Sequence, residues 1–267
     1  MTKKDILRLY QRGEPIAALT CYDASFAQAC EQAGVEVLLV GDSLGNVVQG
    51  QRTTLPVTMA QMIYHTQAVC RGCSRVLVMT DLPFGSYQAS PQQALEHAVR
   101  LMQAGAQMVK LEGGAVMAET VAFLVARGIP VCGHIGLQPQ SVHQLGGLAM
   151  QGKDDRSAQR LLDDGLALQQ AGVDLLVLES IPAPLGQAMT QRLTIPTIGI
   201  GAGPACSGQI LVLYDLLGLS PSMPPFARDF LSGRGSIQEA LAAYVQAVKH
   251  KVFPDPSRLI PPLEKEG

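Results

Sequence analysis

Short, almost unbroken apolar runs of Val, Ile and Leu alternate along the chain with longer stretches in which apolar residues recur every three or four positions. The first pattern predicts buried strands and the second helices, so the chain reads as repeated βα units. Eight strands are predicted, at 16–20, 37–40, 76–80, 108–111, 130–133, 175–178, 197–200 and 210–214. Near-continuous apolar strands belong to a parallel sheet covered on both faces and exclude a half-exposed antiparallel one. Helices are predicted at 25–33, 59–69, 91–104, 116–126, 158–171 and 237–249, with weaker ones at 184–192 and 225–231. Ser90 and Pro91 supply an N-cap and a first-turn proline, while Gly34, Gly105, Gly128 and Gly172 stand where helices end in a left-handed residue.

An internal repeat supports the count. Ala33-Gly34-Val35-Glu36-Val37, Ala104-Gly105-Ala106-Gln107-Met108 and Ala171-Gly172-Val173-Asp174-Leu175 are the same helix exit and strand start, with glycines 71 and 67 residues apart. One βα unit takes about 30 residues or more, so each interval holds two units. Eight strands in crossover order close most naturally into an α/β (β/α)8 TIM barrel, with an open doubly wound sheet as the alternative. No linker or composition break divides the 267 residues, which predicts a single barrel domain over 1–267. Residues 1–12 read as an extra amphipathic helix covering the barrel floor, and 250–267, with four prolines and a charged end, as a partly ordered tail.

Composition narrows the class. Twenty basic against 22 acidic residues imply no nucleic-acid surface, and only 16% charged with 47% hydrophobic residues suits a chain that also buries subunit contacts. No apolar run is long enough to span a membrane and the first 15 residues lack a signal-peptide core, so the expectation is a soluble, cytoplasmic homo-oligomer without membrane partners. The six cysteines lie mostly in apolar segments and read as reduced structural thiols. Cys70 and Cys73 form a CxxC that closes a helix, where neither a redox motif nor a zinc site belongs.

In a barrel the chemistry gathers where strands end. Here the apolar runs close with Asp42-Ser43, Asp81, Lys110-Leu111-Glu112, Gly133-His134 and Glu179-Ser180. Strand side chains alternate, so Lys110 and Glu112 face the same way and Leu111 faces the helices. Several buried carboxylates at one rim repel unless a cation joins them. Asp42, Asp81 and Glu112 offer hard oxygen ligands, which favours Mg²⁺ or Mn²⁺ over Zn²⁺. A lone strand-end Asp is more often a helix cap, the role assigned to Asp23. His134 is either a core histidine or a support behind the residues that meet the ligand; His65, His97, His143 and His250 read as structural or solvated. Residues 199–203 (Gly-Ile-Gly-Ala-Gly) have the look of a phosphate turn without the spacing of one, since glycines also serve simply to turn a chain. The connections 44–56 and 137–152 are long enough to cover the mouth or to make oligomer contacts.

Five ordered segments, Val40-Gly41-Asp42-Ser43-Leu44-Gly45, Thr80-Asp81-Leu82-Pro83-Phe84, Val109-Lys110-Leu111-Glu112-Gly113-Gly114, Cys132-Gly133-His134-Ile135-Gly136-Leu137 and Gly199-Ile200-Gly201-Ala202-Gly203, together resemble the ketopantoate hydroxymethyltransferase family. The resemblance runs from about residue 19 to 244. It implies a Mg²⁺-binding TIM barrel, commonly a homodecamer, that transfers a one-carbon unit from 5,10-methylenetetrahydrofolate to 3-methyl-2-oxobutanoate and gives 2-dehydropantoate for pantothenate and coenzyme A biosynthesis. By matching motifs, Asp42, Asp81 and Glu112 are implied as metal ligands, Asp42, Ser43, Asp81 and Lys110 as the keto-acid site, and Glu179 as the proton acceptor. The family commonly shows Asp-Gly-Gln and His-Asp where this chain has Ser207-Gly208-Gln209 and Tyr214-Asp215. Two rival readings are another Mg²⁺-dependent barrel on 2-oxo acids, of the lyase or phosphoenolpyruvate mutase kind, and a barrel that binds without catalysing.

Overall fold

The computed structural model describes residues 1–220 and 222–255. Eight parallel strands pair in sequence order and close on themselves: β1 (Ile16–Thr20), β2 (Val37–Val40), β3 (Leu77–Asp81), β4 (Met108–Glu112), β5 (Val131–Gly136), β6 (Leu175–Glu179), β7 (Thr197–Ile200) and β8 (Gly208–Leu211). Pairing of β1 with β8 in parallel register makes the closure and rules out the open sheet.

Helices surround the barrel: α1 (Lys3–Gln11), α2 (Ala24–Ala33), α3 (Leu44–Val47), α4 (Met59–Gly72), α5 (Pro91–Gln103), α6 (Ala118–Val125), α7 (Val142–Leu145), α8 (Asp155–Ala171), α9 (Ala183–Arg192), α10 (Leu213–Leu216) and α11 (Ile237–Lys249). Side chains start them as the sequence requires. Asp23 accepts from Phe26 N, Thr58 from Gln61 N, Ser90 from Gln93 N, and Asp154 from Ser157 N.

Alternation within each strand creates two cores. Ala17, Leu19, Leu38, Val78, Val109, Leu111, Leu176 and Leu178 pack outward against the helices. Ile16, Ala18, Val37, Leu39, Leu77, Met79, Met108, Cys132, Leu175, Val177, Ile198 and Ile210 fill the barrel. Ile6 of α1 is buried with the inner set, so this helix sets an apolar side chain against the barrel interior.

Three predicted elements differ: β5 runs on to Gly136 rather than ending at 133, carried past the apolar run by its pairing with β6. The last strand is 208–211, not 210–214, because Val212 leaves the ladder and the Thr20 hydroxyl accepts from Leu213 N at the start of α10. Gly208 and Gln209 pair with β1 and β7 although neither is apolar, so hydropathy could not mark them. Residues 225–231 are not helical. Ala227 N donates to Pro224 O in a turn, Phe230 N donates to Leu216 O, and Asp229 Oδ1 accepts from Leu231 N and Ser232 N. Phe230 is instead an anchor for Tyr244 and Phe253, with ring centroids 5.5 and 5.6 Å away. Of the predicted tail, 256–267 lie outside the described residues. All six cysteines are free thiols, with Cys73 capping the C-terminal end of α4.

Candidate active site

Period-two alternation carries the inner faces of β3, β4, β5 and β6 upward from apolar to ionisable. Met79 is followed by Asp81, Met108 by Lys110 and Glu112, Cys132 by His134, and Val177 by Glu179. Register then decides who meets whom. Asp81 lies opposite Lys110, and Glu112 opposite His134. Asp42 and Ser43 follow β2 after Gly41, and Asp42 N donates to Asp81 Oδ2 at 3.0 Å. All seven predicted residues, Asp42, Ser43, Asp81, Lys110, Glu112, His134 and Glu179, line one cavity of about 1100 Å³ at the carboxyl ends of the strands.

Lys110 Nζ stands 2.8 Å from Asp81 Oδ1, off the axis of a full hydrogen bond, and 3.2 Å from His134 Nδ1. His134 lies between two carboxylates, with Nδ1 3.6 Å from Glu112 Oε1 and Nε2 3.1 Å from Glu179 Oε2. Ser43 Oγ is 2.9 Å from the buried hydroxyl of Tyr22.

The charges are strongly coupled. Burial, then the carboxylates of Asp81 and Glu112, push the Asp42 carboxyl well above its usual range. Burial opposes a charged Lys110, but Asp81, Glu112 and Asp42 outweigh it and hold the ammonium. Burial also works against an ionised Glu112, yet His134, Lys110 and the Gln140 N–H keep it below the ordinary glutamate value. Burial and the Lys110 ammonium disfavour a charged His134, while Glu112 and Glu179 prevail and lift it to about 9.

Among the described residues no three His, Cys, Asp or Glu side chains already converge as a ligand set. Lys110 sits against Asp81, and the Gln140 side chain donates to Asp42 Oδ2. The donor chemistry nonetheless suits a small hard cation. Asp42, Asp81 and Glu112 supply only oxygen, the charges of Asp81 and Glu112 add to burial in raising Asp42, and Asp81 Oδ1 has the Lys110 ammonium at 2.8 Å but no aligned hydrogen bond.

Residue type alone did not mark Tyr22, Tyr87 or Gln140, which tie these groups together. Neither a tyrosine nor a glutamine advertises a site; only the tertiary contacts reveal them. The glycine turn has a packing explanation, since a Cβ on Gly201, at φ +65°, would lie 2.4 Å from the Phe226 ring. Both long connections line the mouth, through residues such as Arg52, Thr54, Leu148 and Met150. His65 and His97 bond the carbonyls of Tyr22 and Ser86, as structural histidines do.

The ketopantoate hydroxymethyltransferase family model matches residues 1–256. The chain belongs to this family. It is 59% identical over 255 residues to the 3-methyl-2-oxobutanoate hydroxymethyltransferase of Nitrosomonas europaea, covering 95% of each chain. The protein of the same name from Thiobacillus denitrificans is 58% identical over 254 residues, with 95% of this chain and 97% of that one covered. A phosphoenolpyruvate phosphomutase from Streptomyces platensis subsp. rosaceus shares the fold, with a TM-score of 0.63, 13% identity, and 82% and 83% of the two chains covered. At that identity the likeness concerns the barrel alone. Against the family pattern, Ser207 sits at the foot of β8, its hydroxyl accepting from Thr197 N. Tyr214 lines the mouth, its ring centroid 5.9 Å from that of Tyr22. No helix among the described residues is long and apolar enough to cross a membrane.

Proposed function

We propose that this enzyme transfers a hydroxymethyl group from 5,10-methylenetetrahydrofolate to 3-methyl-2-oxobutanoate, forming 2-dehydropantoate, with Mg²⁺ as its metal. Family membership and the printed names of the relatives support the reaction. The observation that carries the mechanism is one carboxylate, Glu179, open to the cavity beside a buried Lys110, Asp81, His134 and Glu112 cluster.

Asp42, Asp81 and Glu112 are the residues that would hold the metal, which supplies positive charge for a 2-oxo acid to bind and polarises its carbonyl. Lys110 faces the carboxylate or the oxygen on which charge grows when the C3 proton leaves, and acts through a fixed charge in a partly dry site. Ser43, held by Tyr22, donates a further hydrogen bond. Glu179 accepts the C3 proton, and His134, 3.1 Å from its Oε2, orients the carboxylate. A placed base contributes roughly 10²- to 10⁴-fold, about 3–5 kcal/mol of the barrier, so orientation and fixed charge supply the remainder. The carbanion formed at C3 adds to the one-carbon unit as both of that carbon's C–N bonds to the folate break and tetrahydrofolate leaves; one water provides the hydroxyl oxygen of the product and the two protons the folate nitrogens gain, and the proton taken from C3 ends on the new hydroxyl. The whole chain 1–267 then acts as one barrel domain. The reading carries with it a homo-oligomer, a decamer by resemblance, working in the cytoplasm.

The test is proton NMR of 3-methyl-2-oxobutanoate in D₂O with enzyme and Mg²⁺, with and without tetrahydrofolate. Enzyme-dependent loss of the C3 proton signal is expected. A C3 signal as stable as in the enzyme-free control removes the proposed chemistry.

A further inference from the structure

Gln140 is uncharged and lies outside every strand, in the 3₁₀ turn Pro139–Ser141 after β5. It is nevertheless buried at the centre of the acidic cluster, 5% exposed, with every polar group on its side chain engaged. Its Nε2 donates to Asp42 Oδ2 at 2.9 Å and to Leu82 O at 3.0 Å. Its backbone N–H donates to Glu112 Oε2 at 3.0 Å. Its Oε1 accepts from Tyr87 Oη at 2.7 Å and from Gln88 Nε2 at 3.2 Å.

This pattern leaves the amide one orientation. Flipped, Oε1 would face the Leu82 carbonyl, which can only accept, and Nε2 would lose that partner. Tyr87 locks the choice. Its single hydroxyl proton points to Gln140 Oε1, the shorter of its two acceptor contacts, while its oxygen accepts from Glu112 N at 3.1 Å. One residue from the β5–α8 connection thereby holds two carboxylates that belong to different strands, Asp42 after β2 and Glu112 on β4, and that repel each other. Without those donors Asp42 loses the amide that fixes its carboxylate, and Glu112 keeps His134 but loses the hydrogen bond that fixes Oε2. Buried, fully satisfied networks of this kind fix geometry more than they add stability.

We propose that Gln140, locked by Tyr87, is a positioning residue that sets the side-chain orientations of Asp42 and Glu112 in the active site. The geometric part of this stands on the hydrogen bonds alone; its effect on turnover rests on the function proposed above.

Gln140→Glu keeps the size and removes the donors toward Asp42 and Leu82. Expected are a C3 exchange rate lower by roughly 10- to 100-fold and a calorimetric Kd for 3-methyl-2-oxobutanoate, with Mg²⁺ present, raised about tenfold. Tyr87→Phe keeps Gln140, Asp42 and Glu112 in the sequence and removes the hydroxyl that orients the amide and accepts from Glu112 N. It is expected to lower the exchange rate several-fold, and Gln140→Glu added to it should cost less than Gln140→Glu alone, as for residues acting through one network. If Gln140→Glu does not fold, Tyr87→Phe decides. A merely structural Gln140 would lower Tm in both variants and leave kcat, KM and Kd of the folded enzyme at the wild-type values, which overturns the proposal. So would a crystal structure of either variant with the Asp42 and Glu112 carboxylates unmoved. That crystallographic result is independent of catalysis, so an enzyme showing no C3 exchange at all would sink the functional reading and leave Gln140 still to be judged by it.

Discussion

Glu179 keeps 18% of its side chain exposed, whereas Asp81, Lys110, Glu112 and His134 are at 5% or less. In the proposed reaction it is therefore the group that a substrate would reach without breaking the buried charge network. Glu179→Gln preserves volume and the approach of His134. It should reduce C3 exchange by roughly 10²- to 10⁴-fold while calorimetry shows 2-oxo acid binding within a few-fold of wild type; undiminished exchange would take the base role from Glu179. His134 is lifted from 6.5 to about 9 in the fold. A cationic group whose pKa rises on folding stabilises fully below its unfolded value, and that contribution disappears as pH climbs through the folded one. Thermal melts should accordingly lose several degrees between pH 6.5 and 9, and His134→Gln should flatten that slope. At this scale the strand-end Asp, Lys, Glu and His were legible because ionisable residues closing apolar runs are conspicuous. Gln140, Tyr87 and Tyr22 were not, since their role lies in contacts made across 98, 25 and 21 residues of chain.

At the scale of elements, register between neighbouring strands does what no single strand can. Gly136 pairs with Glu179 across β5 and β6, and its φ is +94°. A Cβ there would lie 2.2 Å from the Glu179 carbonyl oxygen, so the two backbones touch directly under the proposed base. Gly136→Ala should cost about 1–3 kcal/mol in urea unfolding from strain and overpacking. It should also slow C3 exchange by about 10²-fold if Glu179 shifts by an ångström; normal exchange in a destabilised variant would separate this contact from catalysis. Strand and helix positions followed from apolar periodicity where the residues were apolar. Periodicity misled at Gly208-Gln209 and at 225–231, where pairing to β1 and β7 and the Asp229 turn override local preference.

For the whole molecule, the closed barrel separates a floor from a mouth. Ile6, 1% exposed, packs with Ile16, Ala18, Val37 and Leu77 in the inner core, on the strands' starting half and away from Glu179. Ile6→Ala should cost about 2–5 kcal/mol, lower Tm by roughly 2–4 °C for each of them, and leave kcat at 25 °C unchanged; a fall in kcat without a fall in Tm would contradict the division. What the amino-acid order determined by itself was the number of βα units, the inward alternation of Met108, Lys110 and Glu112, and the acidic residues at the strand ends, because period and composition are local properties. Only the tertiary structure decided closure, the pairing of Lys110 with Asp81 and of His134 with Glu179, and the bridge that Gln140 makes. Those depend on which strands become neighbours and on where an unstructured-looking connection comes to rest, and no window of sequence contains both partners.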